Sequence, residues 1–251
     1  YGNPKLLTAK IIVLNPNFYK NIFFGGSIGA SESFIRREWS SPNLTKVIRV
    51  LARNTEAQDK LENFFSFLFQ PILKVIHKLN ENTVKGSKKN ISRHYDLSNN
   101  FFKLFLDKRM MYSSAIYKTK STTLENAAAH KLDVICKKLH LSKSDHVIEI
   151  GSGWGGFAIY AAKNYGCKVT TTTISIEQYN YTKNKIKAMG LSKQIKVLLK
   201  DYRLLNGKYD KLVSIEMIEA VGHQFYDEYF KVISRLLKKE GDALIQAITI
   251  K

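Results

Sequence analysis

Along the second half of this 251-residue chain, apolar positions fall into short β-branched runs separated by stretches with helical spacing. The runs His146–Ile150 (HVIEI), Lys168–Ile174 (KVTTTTI), Ile195–Leu199 (IKVLL), Tyr209–Ile215 (YDKLVSI) and Ala243–Ile250 (ALIQAITI) predict strands. Between them, apolar residues three and four apart predict helices after Gly155, from about Glu177 to Met189, and over Tyr226–Lys239. Strands alternating with helices imply a mostly parallel sheet with crossover helices, a doubly wound α/β architecture. Ligands of such sheets sit at the carboxyl ends of the strands near the reversal of strand order, so the first strand-to-helix turn marks the pocket.

Upstream the pattern is less regular. Residues 1 to about 55 combine a strand-like run, Lys10–Leu14, with turn signals at Asn15-Pro16-Asn17 and Gly25-Gly26 and a helical pattern through LTKVIRVLARN. From Gln58 to Leu79, Phe64, Phe65, Phe67, Leu68, Phe69, Ile72, Leu73 and Ile76 surround Pro71, which predicts a helix kinked or restarted at the proline. An ordinary core helix and a lipid-dipping element both remain open for it. The polar, basic stretch Glu81–Ser92 reads as a linker, dividing a small mixed α/β domain over 1–80 from the α/β domain over 93–251.

Charge narrows the partners. Forty Lys and Arg against 21 Asp and Glu leave a net charge of +19, which points to a polyanion, either nucleic acid or an anionic lipid surface. Residues 71–140 hold 14 Lys and Arg against 5 Asp and Glu, so the excess concentrates beside the linker. No N/D-P-P-Y/F motif and no aromatic-rich RNA-binding strand accompany it, which favours lipid over nucleic acid. The two cysteines, Cys136 and Cys167, lack metal-ligand spacing and suggest neither a disulfide framework nor a zinc site, in keeping with a reducing interior. No apolar run approaches the roughly 18 to 20 residues that span a bilayer, and no charged leader opens the chain, so a soluble or peripheral protein is expected. The abrupt start at Tyr1 and the ending in GDALIQAITIK suggest a fragment truncated at its C-terminus.

The candidate pocket reads Glu149-x-Gly151-x-Gly153-x-Gly155. Glycines let the backbone adopt positive φ and approach a ligand, and the following helix presents free N–H groups. Gly151, Gly153 and Gly156 also satisfy G-x-G-x-x-G, but Glu149 stands two residues before the first glycine. A carboxylate there repels a pyrophosphate and suits an ammonium or a sulfonium, which favours S-adenosylmethionine over NAD. At the next strand end Thr173 and Gln178 offer neutral hydrogen bonds to a ribose, and after the third strand Asp201 and Tyr202 offer an acceptor for an adenine amino group and a stacking ring.

The blocks RHYDLSNNFFKLFLDKRMMYSSAIY, TLENAAAHKLDVICKKLHL, VIEIGSGWGGFAIYAA, TTTISIEQYNY and DYRLLNGKYDKLVSIEMIEAVGHQFYDEYF together resemble the cyclopropane-fatty-acyl-phospholipid synthase family, which includes the mycolic acid cyclopropane synthases. The resemblance runs from about residue 90 onward, and GGSIGASESFIRREWSSPNLTKVIRVLARN is more loosely similar to the N-terminal domain of longer members. It implies a Rossmann-like class I S-adenosylmethionine-dependent methyltransferase that adds a methylene to the cis double bond of a phospholipid acyl chain. Tyr112 and Ser113 would then meet the methionine end of the cosubstrate beside the Gly151 turn.

The resemblance further implies a bicarbonate ion as the base. Glu219 would orient it, His223 follows one helical turn later, and Ser114 and Gln246 stand where the family often has Cys and His. A further tyrosine of that site is implied beyond the final strand, where this chain ends. His94, Tyr95 and Asp96 lack a nucleophile elbow and are given a structural or lid role. The implied partners are unsaturated phospholipids in an anionic membrane surface, with the enzyme on its cytoplasmic face and a homodimer left open. A methyl-branched or hydroxylated product and a non-catalytic lipid-binding remnant stand as alternatives.

Overall fold

The computed structural model describes residues 7–54 and 98–249. The Phe-rich segment 58–79, the linker 81–92 and His94, Tyr95 and Asp96 lie outside the described residues. The chain divides into two compact units, Tyr1–Leu79 and Asn80–Lys251.

In the first unit the expected strand Lys10–Leu14 contracts to β1 (Ile12–Val13), which pairs antiparallel with β2 (Trp39–Ser40). Between them runs α1 (Asn17–Ile35), where the sequence showed only turn signals. The glycine reading survives as a break inside the helix: Gly26 takes φ 52° and ψ −136°, a conformation open to a residue without Cβ. Phe18, Trp39 and Val47 form a small core. Val47 belongs to α2 (Leu44–Ala52), whose first turn is capped by the Asn43 side chain accepting the Lys46 N–H.

In the second unit a short helix, α3 (Asn99–Lys103), and a longer one, α4 (Leu124–Lys138), precede the sheet. The sheet elements then alternate: β3 (His146–Ile150), α5 (Gly156–Tyr165), β4 (Lys168–Thr173), α6 (Ile176–Ala188), β5 (Ile195–Leu199), β6 (Tyr209–Ile215), α7 (Tyr226–Leu236) and β7 (Leu237–Gln246). Strand order is β5-β4-β3-β6-β7, every pair parallel. The last strand departs from expectation, beginning at Leu237 rather than Ala243 and ending at Gln246. Tyr209 pairs with Leu237, and a register irregularity follows before Lys211 meets Asp242.

Side-chain alternation sorts the central strands onto two cores. Val147, Val169, Ile195 and Val213 face one cluster with Leu132 and Ile135 of α4, Phe157 of α5 and Ile186 of α6. Ile148, Ile150 and Leu212 face the other, against Tyr229, Val232 and Leu236 of α7. Cys136 and Cys167 are free thiols buried in the first cluster. The chain winds outward from β3 to β5 and then returns to β6, so order reverses between β3 and β6, and a crevice opens there at the carboxyl edge. Among the described residues no helix is long and apolar enough to cross a membrane.

Two glycines of the turn after β3 differ in what they tolerate. At Gly155, with φ +81°, an added Cβ would lie 2.7 Å from Thr182 Cγ2, whereas at Gly153, with φ +47°, it would meet open space. Gly155→Ala should destabilise by about 1–3 kcal/mol through combined backbone strain and overpacking. Gly153→Ala should cost about 1 kcal/mol from strain alone, and thermal unfolding of the two variants checks the order.

Candidate functional site

The glycine turn forms because β3 must leave the sheet and enter α5 within a few residues. Gly151, Gly153 and Gly155 all take positive φ, and the N–H groups of Gly151 and Ser152 bond the Thr172 carbonyl at 3.1 and 2.8 Å, tying the turn to the end of β4. Above it lies a cavity of about 890 Å³. Glu149, Gly151 and Gly153 line it, while Gly155 lies outside the lining and serves as the left-handed cap of α5.

Glu149 dominates the electrostatics. Its strand, β3, is paired with β4 on one side and β6 on the other, and Glu149 is 2 % exposed and accepts the Thr171 hydroxyl at 2.6 Å. Burial pushes its carboxyl up to about 8, and the Thr171 hydrogen bond only partly offsets this. A carboxylate so placed, with no cation beside it among the described residues, is a receptor for a positively charged ligand group.

The next two strand ends add polar groups to the same cavity. Thr173 donates its hydroxyl to Gln178 Oε1 at 2.8 Å, which locks the amide of Gln178 and leaves its nitrogen without a partner among the described residues. Asp201 and Tyr202 also line the cavity, but Asp201 is engaged. Arg203 grips both its oxygens, Nε to Oδ1 at 2.9 Å and Nη2 to Oδ2 at 2.7 Å, with the pair nearly buried. An adenine amino group would share an oxygen that Arg203 already holds.

A segment before α4 closes the opposite side. Trp154 anchors it, donating its indole N–H to Asn99 Oδ1 at 2.6 Å and packing 4.7 Å from Phe102, so that Met110, Met111, Tyr112 and Ser113 reach the cavity wall. Lys131 secures the next residues from below, donating to the Ser113 carbonyl at 3.4 Å and to its hydroxyl. Lys131 is 1 % exposed, and burial pulls its ammonium down to about 8 against the attraction of Glu216 and Asp107.

Ser114 and Gln246 come together, though not around a free anion. Both donate to the carboxylate of Glu216: the Ser114 N–H at 2.9 Å, its hydroxyl at 2.8 Å and Gln246 Nε2 at 2.7 Å. The donors expected to hold bicarbonate are thus bonded to a side chain of the chain itself. Glu219 lines the cavity and accepts the N–H of Ile248. His223 does not line it. Gly222, at φ 86°, separates the helical turn Ile218–Ala220 from the turn His223–Phe225, so the two residues do not share one helical face, and His223 stays exposed.

Sequence reasoning missed Glu216, Lys131 and the grip of Arg203 on Asp201. Lys131 left a trace, since it falls at helical spacing between Ala127 and Ile135, both buried on the inner face of α4. Glu216 left another, standing directly after β6 at a strand's carboxyl end.

The family model described as Mycolic acid cyclopropane synthetase matches residues 82–251. The chain is 37% identical over 249 residues to the cyclopropane-fatty-acyl-phospholipid synthase of Escherichia coli K12, covering 97% of this chain and 62% of that protein. It is 36% identical over 233 residues to the tuberculostearic acid methyltransferase UfaA1 of Mycobacterium tuberculosis, covering 90% of this chain and 54% of that one. The solved mycolic acid cyclopropane synthase CmaA1, complexed with SAH and CTAB, superposes with a TM-score of 0.61 at 33% identity, covering 63% of this chain and 55% of CmaA1. The chain therefore spans between half and two thirds of the length of these proteins. With a parallel sheet of this order, a carboxylate-bearing glycine turn and a family match over most of its length, the chain belongs to the mycolic acid cyclopropane synthetase family.

Proposed function

We propose that the protein transfers a methylene from S-adenosylmethionine to the cis double bond of an unsaturated acyl chain in a membrane phospholipid, closing a cyclopropane ring. The observation that carries the reading is Glu149, a buried carboxylate facing a cavity that supplies it no cation among the described residues. The identity to the E. coli phospholipid synthase supports the choice of substrate.

The lining fits S-adenosylmethionine. Glu149 and the Gly151 turn would take its positive end with Tyr112 and Ser113, Thr173 and Gln178 its middle, and Asp201 and Tyr202 its adenine. When bound, it supplies an electrophilic methyl group and leaves as a neutral thioether. The chain's own task is to shield the carbocation that an attacked alkene becomes. Trp154, Phe157 and Tyr202 bring aromatic rings to the lining, and Met110, Met217 and Val221 exclude water there.

Bicarbonate, the base implied by the resemblance, finds Ser114 and Gln246 already bonded to Glu216, so the reading goes forward without it. A second reading, a methyl-branched product, is favoured by the identity to the tuberculostearic acid methyltransferase. Loss of the proton from the transferred carbon closes the ring, whereas loss from a neighbouring chain carbon leaves a methyl-branched chain that keeps a double bond.

The reading extends to reversible docking on the cytoplasmic face of an anionic membrane, as a monomer or homodimer. Leu104 is 81% exposed beside the exposed Lys103 and Lys108, a pairing of apolar and cationic groups suited to an interface. Each such cation contributes about 1 kcal/mol near an anionic surface. Sedimentation with anionic vesicles should therefore retain the protein at low salt and release it as salt rises, and neutral vesicles should retain little.

At pH 7 the raised Glu149 carboxyl is mostly protonated, while a cationic ligand takes its ionised form, so binding of S-adenosylmethionine should expel close to one proton. Calorimetry in buffers of different ionisation enthalpy reads this release. Glu149→Gln should abolish it and weaken affinity about 30-fold or more. Mass spectrometry of lipids from cells expressing the protein should show one added CH2 and one lost double bond per modified chain.

A further inference from the structure

We propose that Glu216, on the turn that follows β6, is the proton acceptor for ring closure, so that the chain carries its own base. This rests on the cyclopropanation reading above and assigns within it a catalytic residue for the last step.

Glu216 sits where the crevice opens, at the carboxyl end of β6 beside the reversal of strand order, and it lines the cavity with Ile215, Met217 and Glu219. Its backbone is held at φ +48°, a left-handed conformation that is strained for a residue with a Cβ. The Glu216 N–H is tied to the Gln246 carbonyl at 2.8 Å, so the last strand enforces the strained turn.

The hydrogen bonding of the carboxylate is one-sided. The Ser114 N–H, the Ser114 hydroxyl and Gln246 Nε2 all converge on Oε1, and Oε2 accepts from none of the described residues. Three donors on one oxygen fix the rotamer, while the second oxygen keeps its lone pairs for a substrate proton. Lys131 braces this arrangement as a positioning residue. By holding Ser113 it fixes the segment whose next residue supplies two of the three donors, and its ammonium lies in the field of Glu216. Glu219 is differently used, because its carboxylate is bonded to the N–H of Ile248 and its side chain is exposed.

The step balances on the substrate. After transfer, the new carbon is bonded to one end of the former double bond, and the positive charge lies on the other. A C–H bond of the transferred carbon breaks, its electron pair forms the second C–C bond of the ring, and the proton passes to Glu216 Oε2. The resulting carboxylic acid later loses that proton to solvent.

The test uses the protein with unsaturated phospholipid vesicles and S-adenosylmethionine in carbonate-free buffer, measuring S-adenosylhomocysteine release, ring product and cosubstrate affinity together. The unaltered protein should form rings without added bicarbonate. Glu216→Gln keeps an acceptor oxygen for Ser114 and Gln246. It should bind the cosubstrate within about twofold of the unaltered protein and lower ring formation about 100-fold or more. The share of released S-adenosylhomocysteine that is matched by a ring should also fall, a change that a purely structural role would not produce. In Glu216→Ala, added formate should restore rings in proportion to its concentration.

Unaltered ring yield from Glu216→Gln, or dependence of the unaltered protein on bicarbonate, overturns the proposal and leaves the cyclopropanation reading standing. Absence of methyl transfer by the unaltered protein overturns that reading and the proposal with it.

Discussion

The burial of one carboxylate in the centre of a parallel sheet is the constraint around which the rest of this site is arranged. Glu149 is flanked on both sides by paired strands and is hydrogen-bonded to Thr171. Removing an ionised carboxylate from water costs several kcal/mol unless a positive partner accompanies it. The empty fold avoids most of that cost by leaving the acid protonated, and the glycine turn that follows the strand opens a cavity next to it. The same desolvation that weakens the empty site selects a cation over a phosphate.

The topology explains why the remaining groups arrive at this place. Strand order reverses between β3 and β6, so the segments leaving these two strands diverge and expose the edge between them. The ends of β4 and β5 contribute Thr173, Asp201 and Tyr202 to one side of the cavity, and the exit from β6 contributes Glu216, Met217 and Glu219 to another. Residues 110–113 complete the wall, held by Trp154 to Asn99 and by Lys131 to Ser113. Binding groups thus come from the outward-winding half of the sheet, and the acids suited to proton transfer come from the returning half.

Much of this was legible in one dimension. The periods of HVIEI, KVTTTTI, IKVLL and YDKLVSI located four of the five strands of the sheet, because a parallel strand buried on both faces must be apolar or β-branched almost throughout. The final strand was misplaced toward the C-terminus because Lys238, Lys239 and Glu240 look like the end of a helix. They are extended instead, in the irregular stretch of β7 between the Tyr209–Leu237 and Lys211–Asp242 pairs with β6. Helix α1 was missed for a related reason: two glycines in succession signal a turn locally, and the flanking helical segments gain their stability from packing on Trp39 and Val47.

What the sequence by itself determined is the doubly wound sheet, the pocket at its first glycine turn, and the sign of the charge that guards it. Each follows from neighbours along the chain, through periodicity, backbone freedom at glycine and the position of Glu149. Only the tertiary structure decided how the acids divide their work. Ser114 and Glu216 are 102 residues apart and Gln246 is 30 beyond Glu216, so no local pattern could show them bonded to one another. Nor could it show that Arg203 holds Asp201, or that His223 turns away from the cavity where Glu219 remains. Hydrogen bonds join whatever the fold brings within about 3 Å, and that proximity is a property of the packed sheet and not of spacing along the chain.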